Sequence, residues 1–317
     1  FPKKIRAGKS GKQKVRFQYF EDCYKENAFL AEDIRQTVQN GVPLSEIAVL
    51  FRTNMQPRAL MEYMVSANLA FQTKDRIPDI YEHWIARDFF TYIRIAQGSD
   101  SRADFLSIMN RPKRYIGRDS LPDETVCFDE WMKLYEEQPW IAERIEKLWY
   151  DLKHLSRLSP YAAINYIRRG IGYDDYLAEY AEYRNANKED FYEVADEILA
   201  SAKGYRTFEE WFAHIEEYRQ ELKRLAQEKR RNQNAVTFAT LHSAKGLEFT
   251  KVYLIDVNEG VMPYKKAVLK QDVEEERRLF YVGMTRAKES LTICSVKKMR
   301  GKEVELSRFI KEAGKKP

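Results

Sequence analysis

The sequence predicts an α/β protein, a parallel-sheet domain interrupted by an all-helical insertion. Three observations carry this expectation. Strand-like and helix-like segments alternate up to about residue 80, strand signals vanish from 81 to 233, and the alternation returns from 234. Residues 1–80 and 234–317 are therefore assigned to the sheet domain, and 81–233 to a helical insert, which a surface loop accepts when its ends lie close together.

Each element has its own signal. Residues 15–20 (VRFQYF) are strand-like. Residues 24–39 place Ala28, Leu30, Ala31, Ile34 and Val38 at helical spacing and stop at Asn40-Gly41, a common helix exit. Residues 47–51 have the length of a buried strand, and 57–67 are helical again; short strand–helix–strand connections imply parallel strands. In the insert, aromatics recur at helical period, as in Phe89, Phe90, Ile93 and Ile95, or Phe208, Trp211, Phe212 and Ile215. Residues 207–231 read as one long amphipathic helix ending in charge. Beyond it come strands at 236–240 and 251–257, a helix at 273–286, a strand at 291–296 and a last helix at 304–311.

Composition excludes several function classes. With 44% hydrophobic residues and 32% charged, the 317-residue chain reads as a globular protein with well-solvated helical surfaces. No apolar run approaches the roughly 20 residues of a membrane helix, so no membrane partner is expected. No secretory leader is read, and Phe1 in place of Met leads to the expectation that sequence lies upstream. Cys23, Cys127 and Cys294 are scattered, and the four histidines at 83, 154, 214 and 242 lack metal-ligand spacing. The expectation is a reducing compartment and no metal held by protein ligands alone. A net charge of +5 is explained by solubility alone. Lys3, Lys4, Arg6, Lys9, Lys12, Lys14 and Arg16, uninterrupted by acids, suit a solvated tail more than a nucleic-acid arm.

Two segments carry chemistry. Thr240-Leu241-His242-Ser243-Ala244-Lys245-Gly246-Leu247-Glu248-Phe249 is a strand running into a polar, glycine-containing turn. In a doubly wound sheet ligands bind beyond the carboxyl ends of strands, so a ligand is expected here; an ordinary charged loop is the plainer alternative. Glu274-Glu275-Glu276-Arg277-Arg278-Leu279-Phe280-Tyr281-Val282-Gly283-Met284-Thr285-Arg286-Ala287-Lys288 has an apolar and a basic side. Arg286, after a glycine and near the helix end, is placed to reach outward, and a planar guanidinium suits phosphate. A surface helix laced with Glu–Arg pairs would look similar.

These segments resemble motifs V and VI of the UvrD/PcrA/Rep group of superfamily 1 DNA helicases. Residues 47–54 (IAVLFRTN) are similar to that family's motif IVa, residues 111–117 (RPKRYIG) to the turn at the start of its inserted domain, and residues 257–263 (VNEGVMP) to the segment after motif V. All occur in family order, from about residue 15 to 291. The resemblance implies a second RecA-like motor domain, P-loop-NTPase-type but lacking the P-loop, with its insert. It implies that Arg286 is the arginine finger reaching the ATP γ-phosphate, that Glu248, beside Gly246, meets the ribose, and that His242 lies along the single-stranded DNA backbone. Arg52 and Asn54 fall on the DNA track. Lys245 matches the motif without a defined partner, and Gly117 falls where the family's insert meets duplex DNA.

What is missing shapes the expectation further. The only candidate for a Walker-type loop, Gly8-Lys9-Ser10, has Lys3 where the first glycine belongs and no strand before it. No acidic strand end for magnesium is found; Asp256 ends a strand, but between motifs V and VI. The family's charged run before the insert is altered to Ile80-Tyr81-Glu82-His83-Trp84-Ile85-Ala86-Arg87-Asp88, which weakens its DNA contacts. By resemblance, the parent protein is a 3′–5′ ATP-dependent DNA helicase of repair or replication, using ATP and Mg2+ in the bacterial cytoplasm near the nucleoid. Its partners would be single-stranded DNA, single/double-strand junctions and an N-terminal motor domain. This chain alone is expected to bind no nucleotide stably and to be inactive. The alternative is a catalytically silent DNA- or partner-binding module. A fused nuclease is disfavoured, because the residues after motif VI carry no carboxylate or Cys cluster.

Overall fold

The structure, a computed structural model, describes residues 14–227 and 234–313. The Gly8-Lys9-Ser10 segment, most of the basic run and residues 228–231 of the last insert helix lie outside them. The chain divides into two compact units, Phe1–Pro78 with Tyr218–Pro317, and Asp79–Glu217.

The first unit begins β1 (Lys14–Asp22), α1 (Cys23–Gln39), β2 (Ile47–Phe51), α2 (Arg58–Ser66) and β3 (Phe71–Thr73). Asp22 starts α1 by accepting the Lys25 N–H at 3.0 Å. The helix ends at Gly41, whose φ of +91° suits the exit a side chain would strain. Leu30, Ala31 and Ile34 of α1 and Leu60, Met61 and Met64 of α2 are buried at helical spacing. Each of the leucine, isoleucine and methionine side chains contributes about 1.5–3 kcal/mol by leaving water.

In the second unit lie α3 (Trp84–Ala96), α4 (Arg102–Ile108), α5 (Phe128–Lys133), α6 (Pro139–Leu155), α7 (Pro160–Arg169), α8 (Tyr173–Tyr183) and α9 (Lys188–Ser201). It contains no strand longer than an isolated bridge. Its core is aromatic, with Trp131, Trp211, Tyr92 and Tyr173 fully buried. Asp88 sits inside it, accepting from Arg111 Nη1 at 2.7 Å and from the Tyr173 hydroxyl at 2.6 Å. Burial raises the Asp88 carboxyl pKa, and these two donors oppose the rise. α10 (Phe208–Gln227) crosses the division, so its last turns, read from sequence as insert, group with the sheet unit.

The sheet unit resumes with β4 (Val236–Thr240), β5 (Phe249–Leu254), α11 (Lys270–Met284), β6 (Ala287–Met299), β7 (Lys302–Glu303) and α12 (Arg308–Glu312). Strand order is β1-β6-β5-β2-β4-β3, every neighbour parallel except the short β6–β7 hairpin. Central β2 is buried along its whole length, with Val49 opposite Phe238 on one side and Tyr253 on the other. Ala48, Leu50, Ala239, Val252, Leu254 and Ile293 form one face of the sheet and pack with Phe280 of α11 and Phe309 of α12. Two details differ from the sequence reading. β3 was missed, since three residues are too short to show a period. The final helix starts at Arg308 because residues 302–303 pair back on β6 and the Ser307 hydroxyl caps the Phe309 N–H at 3.2 Å.

Candidate functional site

The turn after β4 splits its residues by polarity. Leu241 and Ala244 are buried in the core, while His242, Ser243, Lys245, Gly246 and Glu248 are exposed. Helical hydrogen bonds fix it, from Ala244 N to Thr240 O at 2.9 Å and from Leu247 N to Ala244 O at 3.1 Å. Gly246, at φ +86° with open space around it, permits the reversal. Asp75, after β3, braces the start of the turn, accepting the Thr240 N–H at 2.7 Å and the Ser243 hydroxyl.

Glu248 and Arg286 come together by strand register. Phe249 pairs with Ala287, so the residues just before them begin neighbouring strands. The Phe249 N–H donates to Arg286 O at 2.9 Å, and Arg286 Nη1 donates to Leu247 O at 2.9 Å. Arg286 Nε donates to Val282 O and Nη2 to Thr285 Oγ1, both at 2.9 Å, so three of its five N–H groups are engaged. The guanidinium is half-buried and the Glu248 carboxylate exposed, which leaves both at the surface on one ledge. Beside them Lys288 Nζ donates to Glu46 at 2.8 Å. That bond to Glu46 raises the Lys288 pKa, with the Glu248 charge adding to it.

This ledge lies at the amino ends of β5 and β6, not at the carboxyl ends where the sequence reading placed a ligand. The turn starts at a carboxyl end and delivers Glu248 to the opposite edge, and the six residues of β5 separate the edges by about 20 Å. α11 positions Arg286 through a close approach: a Cβ on Gly283 would stand 2.4 Å from Leu241 Cδ2 and 3.1 Å from Leu254 Cδ2.

Arg52, Asn54 and His242 follow the carboxyl ends of β2 and β4. Arg52 is committed within the fold. Its Nε donates to both Glu276 carboxylate oxygens at 3.0 and 3.1 Å, Nη2 adds a bond at 2.8 Å, and the guanidinium lies 5.2 Å from the Tyr264 ring centre. The poorly solvated Glu276 carboxylate needs this cation, so Arg52 anchors α11 to β2. Asn54 is half-buried, its Oδ1 lacking a hydrogen-bond partner among the described residues. His242 and Lys245 are exposed.

Gly117 belongs to the helical unit, exposed at the end of a turn built on buried Arg114. Arg114 Nη1 donates to Ile108 O and Met109 O at 3.2 and 3.1 Å, and Nη2 to the Tyr92 hydroxyl at 3.1 Å. Gly117 O accepts the Ser120 hydroxyl at 2.6 Å.

Sequence reasoning missed Gln56, Glu26 and Asp75. Gln56 lies two residues past Asn54 and was within reach of the motif; nothing local marks the other two. The Cys23, Glu26 and Asp256 donor atoms lie within 4.8 Å of one another. They are turned inward upon one another and Gln56, away from the ledge.

Parallel strands flanked by helices, with a polar turn joining both edges, form the RecA-like helicase fold. The chain belongs to the UvrD-like helicase C-terminal domain family, whose pattern it matches over residues 2–298. It is 28% identical to the ATP-dependent DNA helicase PcrA of Bacillus subtilis strain 168 over 312 residues, covering 90% of this chain and 41% of that protein. It is 29% identical to PcrA of Staphylococcus epidermidis strain ATCC 12228 over 343 residues, covering 98% and 45%. To the ATP-dependent DNA helicase Rep of Escherichia coli K12 it is 27% identical over 303 residues, covering 86% and 44%. The chain spans less than half the length of these relatives.

Proposed function

We propose that this chain is the second motor half of an ATP-dependent DNA helicase that moves 3′–5′ on single-stranded DNA and unwinds junctions in repair or replication. Residues 1–80 with 234–317 are the motor domain, and 81–233 the insert. The observation that carries the reading is the placement of Glu248 and Arg286 just before the paired starts of β5 and β6, where Phe249 faces Ala287 and Arg286 holds Leu247 O. That pair fits part of a nucleotide. Glu248 would accept from a ribose hydroxyl, and Arg286 would exchange its bond to Leu247 O for phosphate oxygen. ATP with Mg2+ supplies the bond whose hydrolysis drives stepping. The described residues include no glycine-rich phosphate loop, so an N-terminal motor domain must hold the nucleotide, and the chain alone is expected to be inactive.

At the other edge His242, Asn54 and Lys245 would lie along the strand backbone, with Arg52 holding the edge in shape. Gly117 would meet the duplex. By analogy with its bacterial relatives, this work would take place in the cytoplasm beside the nucleoid.

The test is steady-state ATPase with single-stranded DNA, for the chain alone and with its N-terminal half. Only the combination should turn over, and Arg286→Ala should lower that rate about 10³-fold while leaving DNA affinity intact. The three bonds Arg286 makes within its own fold favour the second reading, a silent binding module. No DNA-stimulated turnover from the combination would establish it.

A further inference from the structure

The residues between β2 and α2 form a tight loop whose shape depends on one side chain. Gln56 Oε1 accepts the N–H of Arg52 at 2.8 Å and of Thr53 at 2.7 Å. Its Nε2 donates to Asp256 Oδ2 at 3.3 Å and Ile255 O at 3.5 Å. A single amide thus satisfies two backbone donors on one side and two acceptors on the other. Asp256 lies two residues past the end of β5, in the left-handed region at φ +51°. Its N–H donates to Glu26 Oε1 at 3.2 Å, and Cys23 Sγ approaches its Oδ1 at 3.7 Å. Glu26 and Asp256 are both buried.

We propose that Gln56 is a positioning residue, tying the Arg52–Asn54 loop to the buried Glu26–Asp256 pair and so presenting that loop to single-stranded nucleic acid. The inference rests on the single-strand reading above. The residue type follows from the geometry. Asparagine is one methylene too short to span the loop and Asp256. Glutamate would accept the two N–H groups equally well but turn an oxygen toward the Asp256 carboxyl. Burial raises the pKa of both Glu26 and Asp256; the Asp256 charge raises Glu26 further, while the hydrogen bonds from Gln56 and Glu26 favour the ionised Asp256, so a further negative charge at position 56 would face that carboxylate directly. The other titratable and charged groups acting on the pair are Cys23 of α1, Cys294 of β6 and Arg300, which stabilises the Asp256 charge.

Two variants of the 317-residue chain separate the possibilities. Gln56→Ala should abolish hydrogen-exchange protection at the Arg52 and Thr53 amides and weaken binding of a fluorescent oligothymidylate about tenfold, because the loop is no longer preorganised. Gln56→Glu should bind more weakly than the parent chain and recover toward it as pH falls, when the introduced carboxyl gains a proton and donates to Asp256. Comparing it with the parent at each pH isolates the effect of the substitution. Unchanged amide protection in Gln56→Ala, lost protection with unchanged affinity, or a pH-independent defect in Gln56→Glu would each overturn the proposal. A parent chain that protects both amides yet binds no oligothymidylate would instead overturn the single-strand reading beneath it.

Discussion

Gly283→Ala tests whether Arg286 is set by the seating of α11 on the sheet. The added Cβ would lie 2.4 Å from Leu241 Cδ2 and 3.1 Å from Leu254 Cδ2, the former about 1 Å inside ordinary carbon–carbon contact. Alanine favours the helix over glycine by about 1 kcal/mol, and overpacking costs about 1–3 kcal/mol, so net destabilisation should be about 0–2 kcal/mol. Leu241 is itself buried beneath the turn, which leaves it little room to retreat. α11 must then lift by up to about 1 Å, carrying Val282 O and Arg286 with it. A misplacement of that size costs about 10²-fold in rate. DNA-stimulated ATPase of the combined halves should therefore fall about 10²-fold with a small change in melting temperature. Adding Leu241→Ala removes the clash and should recover much of the rate, although its cavity costs about 2–5 kcal/mol of stability. Turnover unchanged in Gly283→Ala, or a loss that Leu241→Ala does not relieve, would refute the reasoning.

Three further outcomes are expected. Arg52→Ala strands the poorly solvated Glu276 and should cost roughly 3 kcal/mol in urea unfolding, whereas Arg52→Ala with Glu276→Ala should cost less than the two changes summed; an additive cycle would return Arg52 to the DNA track. Oligothymidylate binding by the chain should weaken as salt rises, with log K linear in log salt, because backbone contacts displace counterions; salt-independent binding would contradict the track. Glu26→Gln should raise the melting temperature at pH 8, and the gain should vanish near pH 4. The sign follows from the raised folded pKa of Glu26: below the unfolded value of about 4.3 both states hold the proton, and as pH rises the unfolded state ionises first and stability is lost. A gain constant across that range would point to packing instead.

The sheet was legible where its signal is long. β2, β4 and the buried faces of α1 and α2 follow from apolar period and glycine exits. β3 and β7 were not, since segments of three and two residues owe their state to neighbours rather than to any pattern of their own. The candidate residues stand out in the sequence as a set; their arrangement in space does not. That Glu248 and Arg286 sit together follows from the β5–β6 register, which no local sequence records. Arg52 shows the converse. As a residue after a strand it reads like a ligand contact, and only the fold brings Glu276, 224 positions away, to claim it. Gln56 escaped notice, and Asp256 was set aside, for the same reason, their partnership spanning 200 positions.

The turn at residues 241–247 gives these separate observations a common mechanical basis. His242 leaves the carboxyl end of β4 and Glu248 enters the amino end of β5, so one short segment has an end at each ledge. Its two buried anchors, Leu241 and Ala244, and its helical hydrogen bonds make it a strut. Leu241 is also the atom-for-atom neighbour of Gly283, the residue that seats α11 and hence Arg286. A shift that loosens Arg286 from Leu247 O thus acts on the far end of the strut that carries His242. A glycine in α11 and a leucine in the turn, neither of them charged, are the contact that joins the Arg286 ledge at one edge of the sheet to the proposed single-strand track at the other.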